Sequence, residues 1–194
     1  DVTGVQTCAL PICTDRGRLV EELEITTEEE RRKILCEFND TKVDYPKDKT
    51  VVELFEEQVE RTPENIALLY ENEEVTYREL NAKANQVAQR LRKYGVGPDD
   101  FVVIIAERSI EMIVGIYGII KSGGAYVPID PTYPEERIRY MLEDCRPKAV
   151  LVYQSKIETD IPVIDLMDSQ IFTGAIENPE RVNKPEDLLY CIYT

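Results

Sequence analysis

The apolar run Phe101–Ala106 constrains the fold more than any other feature of this 194-residue chain. It is uninterrupted and rich in β-branched residues, which is typical of a strand covered on both faces in a parallel sheet. Two further β-prone runs come after it, Ala125–Ile129 and Lys148–Tyr153, and the helical patterns that separate them are Ser109–Lys121 and a helix opened by Pro134. Strands that alternate with helices predict an α/β fold: a layered, mostly parallel sheet with helices on both faces.

Three helix start signals precede this alternating region. Each is a Thr followed three residues later by a Glu, the spacing of a capping box, and the pairs are Thr27 with Glu30, Thr50 with Glu53, and Thr76 with Glu79. The first helix is expected to end near Asn39 and the third at Gly95. A β-hairpin over Ile66–Tyr70 and Val75–Tyr77 is predicted between the second and third helices.

The last part of the chain has a weaker pattern. Pro162–Asp165 predicts a short strand, residues 169–187 have no clear periodicity, and Leu188–Tyr193 predicts a buried strand. Ligands of open α/β sheets bind beyond the carboxyl ends of the strands. Thr194, at the start of a loop that leaves the sheet, is therefore a candidate ligand contact.

The pair Gly123-Gly124 has two possible interpretations. A phosphate-binding loop follows a strand and opens a helix, so that the helix N-terminus faces the anion. These glycines instead follow a predicted helix and precede a predicted strand. The pattern favours a helix C-cap and a tight turn.

Charge and hydropathy exclude several classes of partner. The net charge of −15, from 38 acidic and 23 basic residues, argues against nucleic acid and an anionic membrane, because both require a positive face. The best candidate for a membrane span, Ile110–Ile120, is too short and contains Glu111.

The chain has no histidine and five scattered cysteines. The absence of histidine excludes a Ser–His or Cys–His nucleophile pair within this chain. Since no two cysteines form a C-x-x-C pair, no zinc or other metal site is predicted. Free thiols are typical of a reducing compartment, so a cytoplasmic location is expected.

The first twelve residues do not match the rest of the chain. Val2–Ile12 resembles the translated read-through of a sequencing adapter, and residues 1–12 lack the starting Met, basic region and sustained apolar core of a signal peptide. We hypothesise that they are an assembly artefact without structure of their own.

Three stretches taken together carry a family resemblance. Val75–Leu80, Lys121–Asp130 and Asp187–Thr194 resemble, in order, the first core motif, the second core motif and the lead-in to the third core motif of the adenylate-forming (AMP-dependent synthetase and ligase) superfamily. That superfamily includes acyl-CoA synthetases, luciferases and the adenylation domains of nonribosomal peptide synthetases. The stretch from Gly123 to Ile138 is more similar to the peptide-synthetase branch.

The resemblance implies a domain organisation. Residues 13–48 are similar to the tail of a condensation domain and its linker, and residues 49–194 are similar to the N-terminal part of an adenylation domain that is truncated here. In the family, the third motif continues as a loop that holds the ATP phosphates, so the resemblance implies that Thr194 contacts the nucleotide. The amino-acid pocket and the catalytic Lys lie downstream in the family, so no catalytic residue is expected in this fragment.

The resemblance also implies an activity for the parent protein. An amino acid and ATP with Mg²⁺ would give an aminoacyl-adenylate and pyrophosphate, and the acyl group would pass to phosphopantetheine on a downstream carrier domain. An upstream condensation domain would be a further partner. The fragment alone is expected to be inactive.

Two alternatives remain open. The chain could come from an acyl-CoA or aryl-acid ligase, although a free-standing ligase would not need the upstream segment Leu19–Asp48. It could also be a non-catalytic interaction domain of the same fold.

Overall fold

The computed structural model describes residues 26–194, which divide into two units, 26–46 and 47–194. The predicted artefact, residues 1–12, lies outside the described residues, as does the first part of the predicted linker, 13–48. The boundaries of those two segments therefore stay predictions.

The first unit is built on one short helix. Its N-cap, Thr27, and Glu30 form the predicted capping box, and helix α1 spans Glu28–Arg32. The helix widens into a π-helical turn, Lys33–Glu37, that the sequence pattern did not predict. The Asn39 side chain donates to the carbonyls of Ile34 and Leu35, at 2.9 and 3.2 Å, which satisfies the end of the helix near the predicted position.

The second unit opens with a helix, a hairpin and a second helix. Helix α2 spans Val51–Arg61 and begins at the predicted capping box. Strands β1 (Ile66–Tyr70) and β2 (Glu73–Thr76) pair antiparallel, and helix α3 spans Tyr77–Lys93 after the third capping box. The hairpin and all three helix starts are therefore confirmed.

The remaining elements form the predicted alternating layers. In chain order they are β3 (Phe101–Ala106), α4 (Ile110–Ser122), β4 (Ala125–Ile129), α5 (Glu135–Cys145), β5 (Ala149–Tyr153), β6 (Val163–Asp165) and a 3₁₀ turn, Ser169–Phe172. The strands lie in the order β4-β3-β5-β6, and every neighbouring pair is parallel. The fold class is as predicted.

Both faces of this sheet are covered. Alternate residues of β3 point to opposite sides: Val102 and Ile104 belong to the core beneath α3 and α4, while Val103 and Ile105 pack with residues of α5. All four are at most 1% exposed. This explains why the strand is apolar at every position rather than at every second one.

The glycine pair ends α4, as predicted. Gly123 is the C-cap, with φ +112°, a left-handed conformation that a β-carbon disfavours. A β-carbon on Gly124 would lie 3.0 Å from the carbonyl oxygen of Asp100. The pair is a tight turn between a helix and a strand, not a phosphate loop.

Candidate functional site

A cleft of about 500 Å³ lies at the carboxyl ends of β3 and β4. Because these strands are parallel, their carboxyl ends meet at the same edge of the sheet, where open α/β sheets bind ligands. The cleft is lined on one side by residues that follow β3, on another by the turn after β4, and on a third by the end of the chain, namely Glu107, Arg108, Asp130, Thr132, Ile192 and Tyr193.

The turn after β4 presents a fixed negative charge at the cleft. The Asp130 carboxylate accepts hydrogen bonds from the Thr132 backbone N–H at 2.8 Å and from the Thr132 hydroxyl at 2.6 Å. These two bonds, the hydroxyl first, lower the pKa of Asp130 below its ordinary value of 3.8. The next residue, Tyr133, stacks under the Arg137 guanidinium, 4.2 Å from its ring centroid.

Tyr193 ties the last residues of the chain to α5. Its hydroxyl donates to the Asp144 carboxylate at 2.6 Å, and its ring packs in the cluster around Met141 and Cys145. Burial, and then the hydrogen bond to Asp144, raise the pKa of Tyr193 above its ordinary value. Tyr193 therefore stays a neutral donor, and it holds one wall of the cleft in place.

Residues Leu188–Tyr193 do not form the buried strand that their apolar pattern predicts. They make one parallel bridge to β4: Tyr126 donates its N–H to the Leu189 carbonyl at 3.1 Å, and Cys191 donates to the Tyr126 carbonyl at 3.0 Å. Tyr190 and Ile192 are exposed, whereas the residues between and beside them are half-buried. The segment lies at the edge of the described sheet and is covered on one side only, so alternate side chains face solvent.

Thr194, the predicted nucleotide contact, is exposed and comes directly after Tyr193. Tyr193 lines the cleft. The contact of Thr194 with a nucleotide stays a prediction.

A buried ion cluster behind the sheet was not foreseen from the sequence. The Glu56 carboxylate of α2 accepts from Lys121 of α4 and from Arg181, and the Lys121 and Glu56 side chains are 0% and 2% exposed. The Arg181 Nε atom lies 2.9 Å from Glu56 Oε2. Burial lowers the pKa of Lys121, and the hydrogen bond to Glu56 acts in the opposite direction.

These three residues are far apart in sequence, which is why pattern reading missed them. Lys121 stands within the motif Lys121–Asp130, but nothing in that motif predicts a carboxylate partner in α2. One signal was available: Lys121 lies in the last turn of a helix that is apolar on nearly all sides, where a lysine needs a partner.

Residues 26–194 contain no group of three or more cysteine, aspartate or glutamate side chains placed to hold a metal ion. The helices in the same range are each too short or too polar to reach across a bilayer.

Comparison with known proteins identifies the family. The sequence profile of the AMP-binding enzymes matches residues 55–194, which is most of the chain and includes the cleft. The chain belongs to the AMP-binding enzyme family. It is 49% identical over 178 residues, 90% of its length, to gramicidin S synthase 2 of Brevibacillus brevis, and 44% identical over 192 residues, 98% of its length, to bacitracin synthase 3 of Bacillus licheniformis.

A solved structure is similar to this chain in fold. It is the nonribosomal peptide synthetase FmoA3 (S1046A) in its α-methyl-L-serine-AMP bound form, with a TM-score of 0.77 and 29% identity over 100% of this chain and 23% of that one. The chain spans only 4% of the length of gramicidin S synthase 2 and 3% of bacitracin synthase 3. It corresponds to a small part of such proteins.

Proposed function

We propose that this chain is part of an amino-acid-activating domain of a nonribosomal peptide synthetase. The parent protein joins the carboxylate of an amino acid to the α-phosphorus of ATP, and pyrophosphate leaves. A carboxylate is a poor electrophile, and AMP converts it into an acyl group with a good leaving group. A phosphopantetheine thiol on a carrier domain then attacks the acyl carbon and releases AMP.

The observation that carries the proposal is the cleft at the carboxyl edge of the sheet, one wall of which is formed by Tyr193. The match to AMP-binding enzymes extends through this edge, and a solved relative is described as bound to an aminoacyl-adenylate. The anchored Tyr193 gives the chain a fixed exit from the sheet. We propose that the Thr194 hydroxyl, one residue further, donates to a phosphate oxygen of ATP.

Catalysis in such a site rests on positioning and charge neutralisation, because the phosphoryl group needs little covalent help from the protein. The described residues contribute the floor of the site and the start of the phosphate loop. The Mg²⁺ ion would be carried by the ATP phosphates, since magnesium in such sites is held largely by substrate oxygens and water and the described carboxylates form no cluster. We propose no step through the metal.

The proposed partners are an amino acid, a carrier domain downstream and a condensation domain upstream. The proposed location is the cytoplasm. We propose no binding to nucleic acid and none to a membrane. The acidic balance of the chain supports the last two exclusions. The segment 13–48 is where we place the link to the condensation domain.

The test is substrate-dependent exchange between ATP and labelled pyrophosphate by the complete protein that contains this chain. Amino acids, aryl acids and fatty acids are supplied one at a time, and we expect exchange with at least one amino acid. Exchange with aryl or fatty acids alone would instead indicate an acid–CoA ligase. Exchange with none of them would indicate an interaction domain.

The 194-residue chain itself is the matched control for this assay. We expect no exchange from it, because in the family the amino-acid pocket and the catalytic Lys lie downstream of the segment that this chain resembles. Exchange by the chain alone would contradict that assignment.

A further inference from the structure

A segment without regular structure, residues 174–187, crosses the helical layer of the second unit and leads to the cleft. We call it the crossing segment. It makes few hydrogen bonds of its own, and side chains of α3 hold its backbone: Asn85 donates to the Ile176 carbonyl at 2.7 Å, and Arg92 donates to the Glu180 carbonyl at 2.5 Å. The position of this segment therefore depends on side chains of the helices beneath it.

The polar side chains of α3 that face the crossing segment form a stripe along one side of the helix. Asn81, Asn85, Gln89 and Arg92 recur at helical spacing, and each donates to the crossing segment. The Asn178 Oδ1 atom accepts from two residues of this stripe, from Asn81 at 2.8 Å and from Asn85 at 2.9 Å.

The strongest anchor is the buried Glu56 carboxylate. One of its oxygens accepts from Lys121, and the other accepts from Arg181 of the crossing segment at 2.9 Å through Nε and 2.8 Å through Nη2. A second contact joins Arg181 to Glu53 at 3.4 Å. The two cations and two carboxylates balance in charge. The Lys121–Glu56 contact is shielded from water, which strengthens it, whereas the Arg181 side chain is 50% exposed.

The Lys121 ammonium is enclosed by protein groups rather than by solvent. Asn178 Oδ1 lies 3.4 Å away, and the centroid of the Phe55 ring lies 5.7 Å away. The buried Glu56 carboxylate therefore joins α2 to α4 and to the crossing segment. A carboxylate so deeply buried is costly to leave unpaired, so the protein should resist separation of Glu56 from its cations.

The anchored segment leads directly to the cleft. The Leu188 N–H donates to Asp99 Oδ1 at 2.9 Å, residues Leu189 and Cys191 bond to Tyr126, and Tyr193 forms a wall of the cleft. Residues 188–193 are held by these hydrogen bonds, by the one bridge to β4 and by the bond from Tyr193 to Asp144 of α5. The crossing segment sets where the chain enters this edge of the sheet.

We propose that Arg181, held by the buried Glu56–Lys121 pair, is a positioning residue for ATP. It sets where the crossing segment leaves the helical layer, and thereby where Thr194 presents its hydroxyl to the triphosphate. Arg181 itself touches no substrate. The proposal rests on the adenylating function proposed above and adds a structural determinant that lies outside the three core motifs.

The test compares Arg181→Met and Arg181→Lys with a matched control, Arg90→Met, in the complete protein. Arg90 is an exposed arginine on α3 and is not part of the cluster. In Arg181→Met, we expect amide hydrogen exchange of peptides from residues 182–194 to accelerate by about tenfold or more, while β3 and β5 stay as protected as in the wild type.

The kinetic readout is pyrophosphate exchange. Loss of positioning should raise KM for ATP about tenfold and leave KM for the amino acid within about twofold, with Arg181→Lys intermediate and Arg90→Met unchanged. A purely structural role would lower the amount of active enzyme and expose β3 and β5 as well, without a selective change in KM for ATP, and that result would overturn the proposal.

The two readouts separate this proposal from the proposed function. If the wild-type protein shows no exchange with any acid, the adenylating function fails, and Arg181 can then no longer be assigned to ATP. If wild-type exchange is present but Arg181→Met changes neither KM for ATP nor the hydrogen exchange of residues 182–194, the positioning role alone is refuted.

Discussion

Gly118 of α4 faces Val87 of α3 so closely that a β-carbon on Gly118 would lie 2.6 Å from the Val87 β-carbon. Val87 is fully buried, so it has no free space into which it could move. The absence of a side chain at position 118 therefore allows α3 and α4 to pack this closely. Helix α3 holds the crossing segment, and α4 carries the buried Lys121.

Gly118→Ala should destabilise the protein. Overpacking of a filled core costs about 1–3 kcal/mol, and the better helix propensity of alanine offsets about 1 kcal/mol of that. Urea unfolding should show a net loss of stability. Gly97→Ala is the matched control, since the nearest atom to its β-carbon would be 3.9 Å away. Equal stability of the two variants would contradict the close approach of the helices.

Lys121→Met should be costly because it leaves Glu56 with Arg181 as its one remaining cation. Removal of one partner of a buried pair costs about 3–5 kcal/mol. Because Arg181 still pairs with Glu56, we expect the loss of stability in Lys121→Met to lie near the lower end of that range. The double variant Glu56→Gln/Lys121→Met should lose less than the sum of the single variants in urea unfolding.

An exposed pair provides the comparison for Lys121. Lys49 and Glu57 are 2.6 Å apart, but their side chains are 38% and 44% exposed. Lys49→Met should therefore cost much less stability than Lys121→Met. A Lys49→Met loss as large as that of Lys121→Met would show that burial is not what makes the cluster strong.

Two free cysteines should differ in reactivity. Cys36 is exposed, while Cys145 is buried and burial raises its pKa from 9.0 to about 11. At pH 8 this shift alone lowers the thiolate fraction of Cys145 about 100-fold. Alkylation followed by peptide mass spectrometry should label Cys36 quickly and Cys145 only after unfolding. Equal labelling rates in the folded protein would place Cys145 outside the core.

The capping box at the start of α3 should make part of the stability dependent on pH. Hydrogen bonds from the Thr76 backbone and hydroxyl lower the pKa of Glu79 below its ordinary value of 4.5. A carboxyl group whose pKa is lower in the folded state contributes stability that is present above the unfolded pKa and is lost as pH falls through the folded pKa.

The variant Glu79→Gln measures this contribution. The difference in free energy of unfolding between wild type and variant should be present at neutral pH and shrink below pH 4.5. In a Thr76→Ala background the same substitution should show a weaker pH dependence, because the hydroxyl donor is lost while the backbone donor of residue 76 remains. A difference that is constant with pH in both backgrounds would show that the capping charge does not contribute.

The parts of the fold that follow from local physics were predictable from sequence. The run Phe101–Ala106 is apolar on both faces because it is covered on both faces, and Gly123 ends a helix because it adopts a positive φ. The capping boxes depend on residues three positions apart, so the spacing alone locates them.

The parts that were missed depend on partners distant in sequence. Residues Leu188–Tyr193 have the composition of a buried strand, but their pairing depends on which strand lies beside them, and β4 offers one bridge. The polar stripe of α3 has the pattern of a solvated helix face, although it holds the crossing segment. Glu56 has the pattern of a surface residue of α2, and it is buried because α4 and Arg181 pack over it.

The central claim is that the parent protein joins an amino-acid carboxylate to the α-phosphorus of ATP. The most direct test follows one carboxylate oxygen of the amino acid. The complete protein is incubated with ATP, its carrier domain and an amino acid whose carboxylate oxygens are ¹⁸O, and the products are analysed by mass spectrometry. If the amino acid attacks the α-phosphorus, one ¹⁸O stays on phosphorus when the thiol takes the acyl group, and we predict it in AMP. Label in inorganic phosphate together with ADP, or no label transfer with any amino acid, would contradict the assignment.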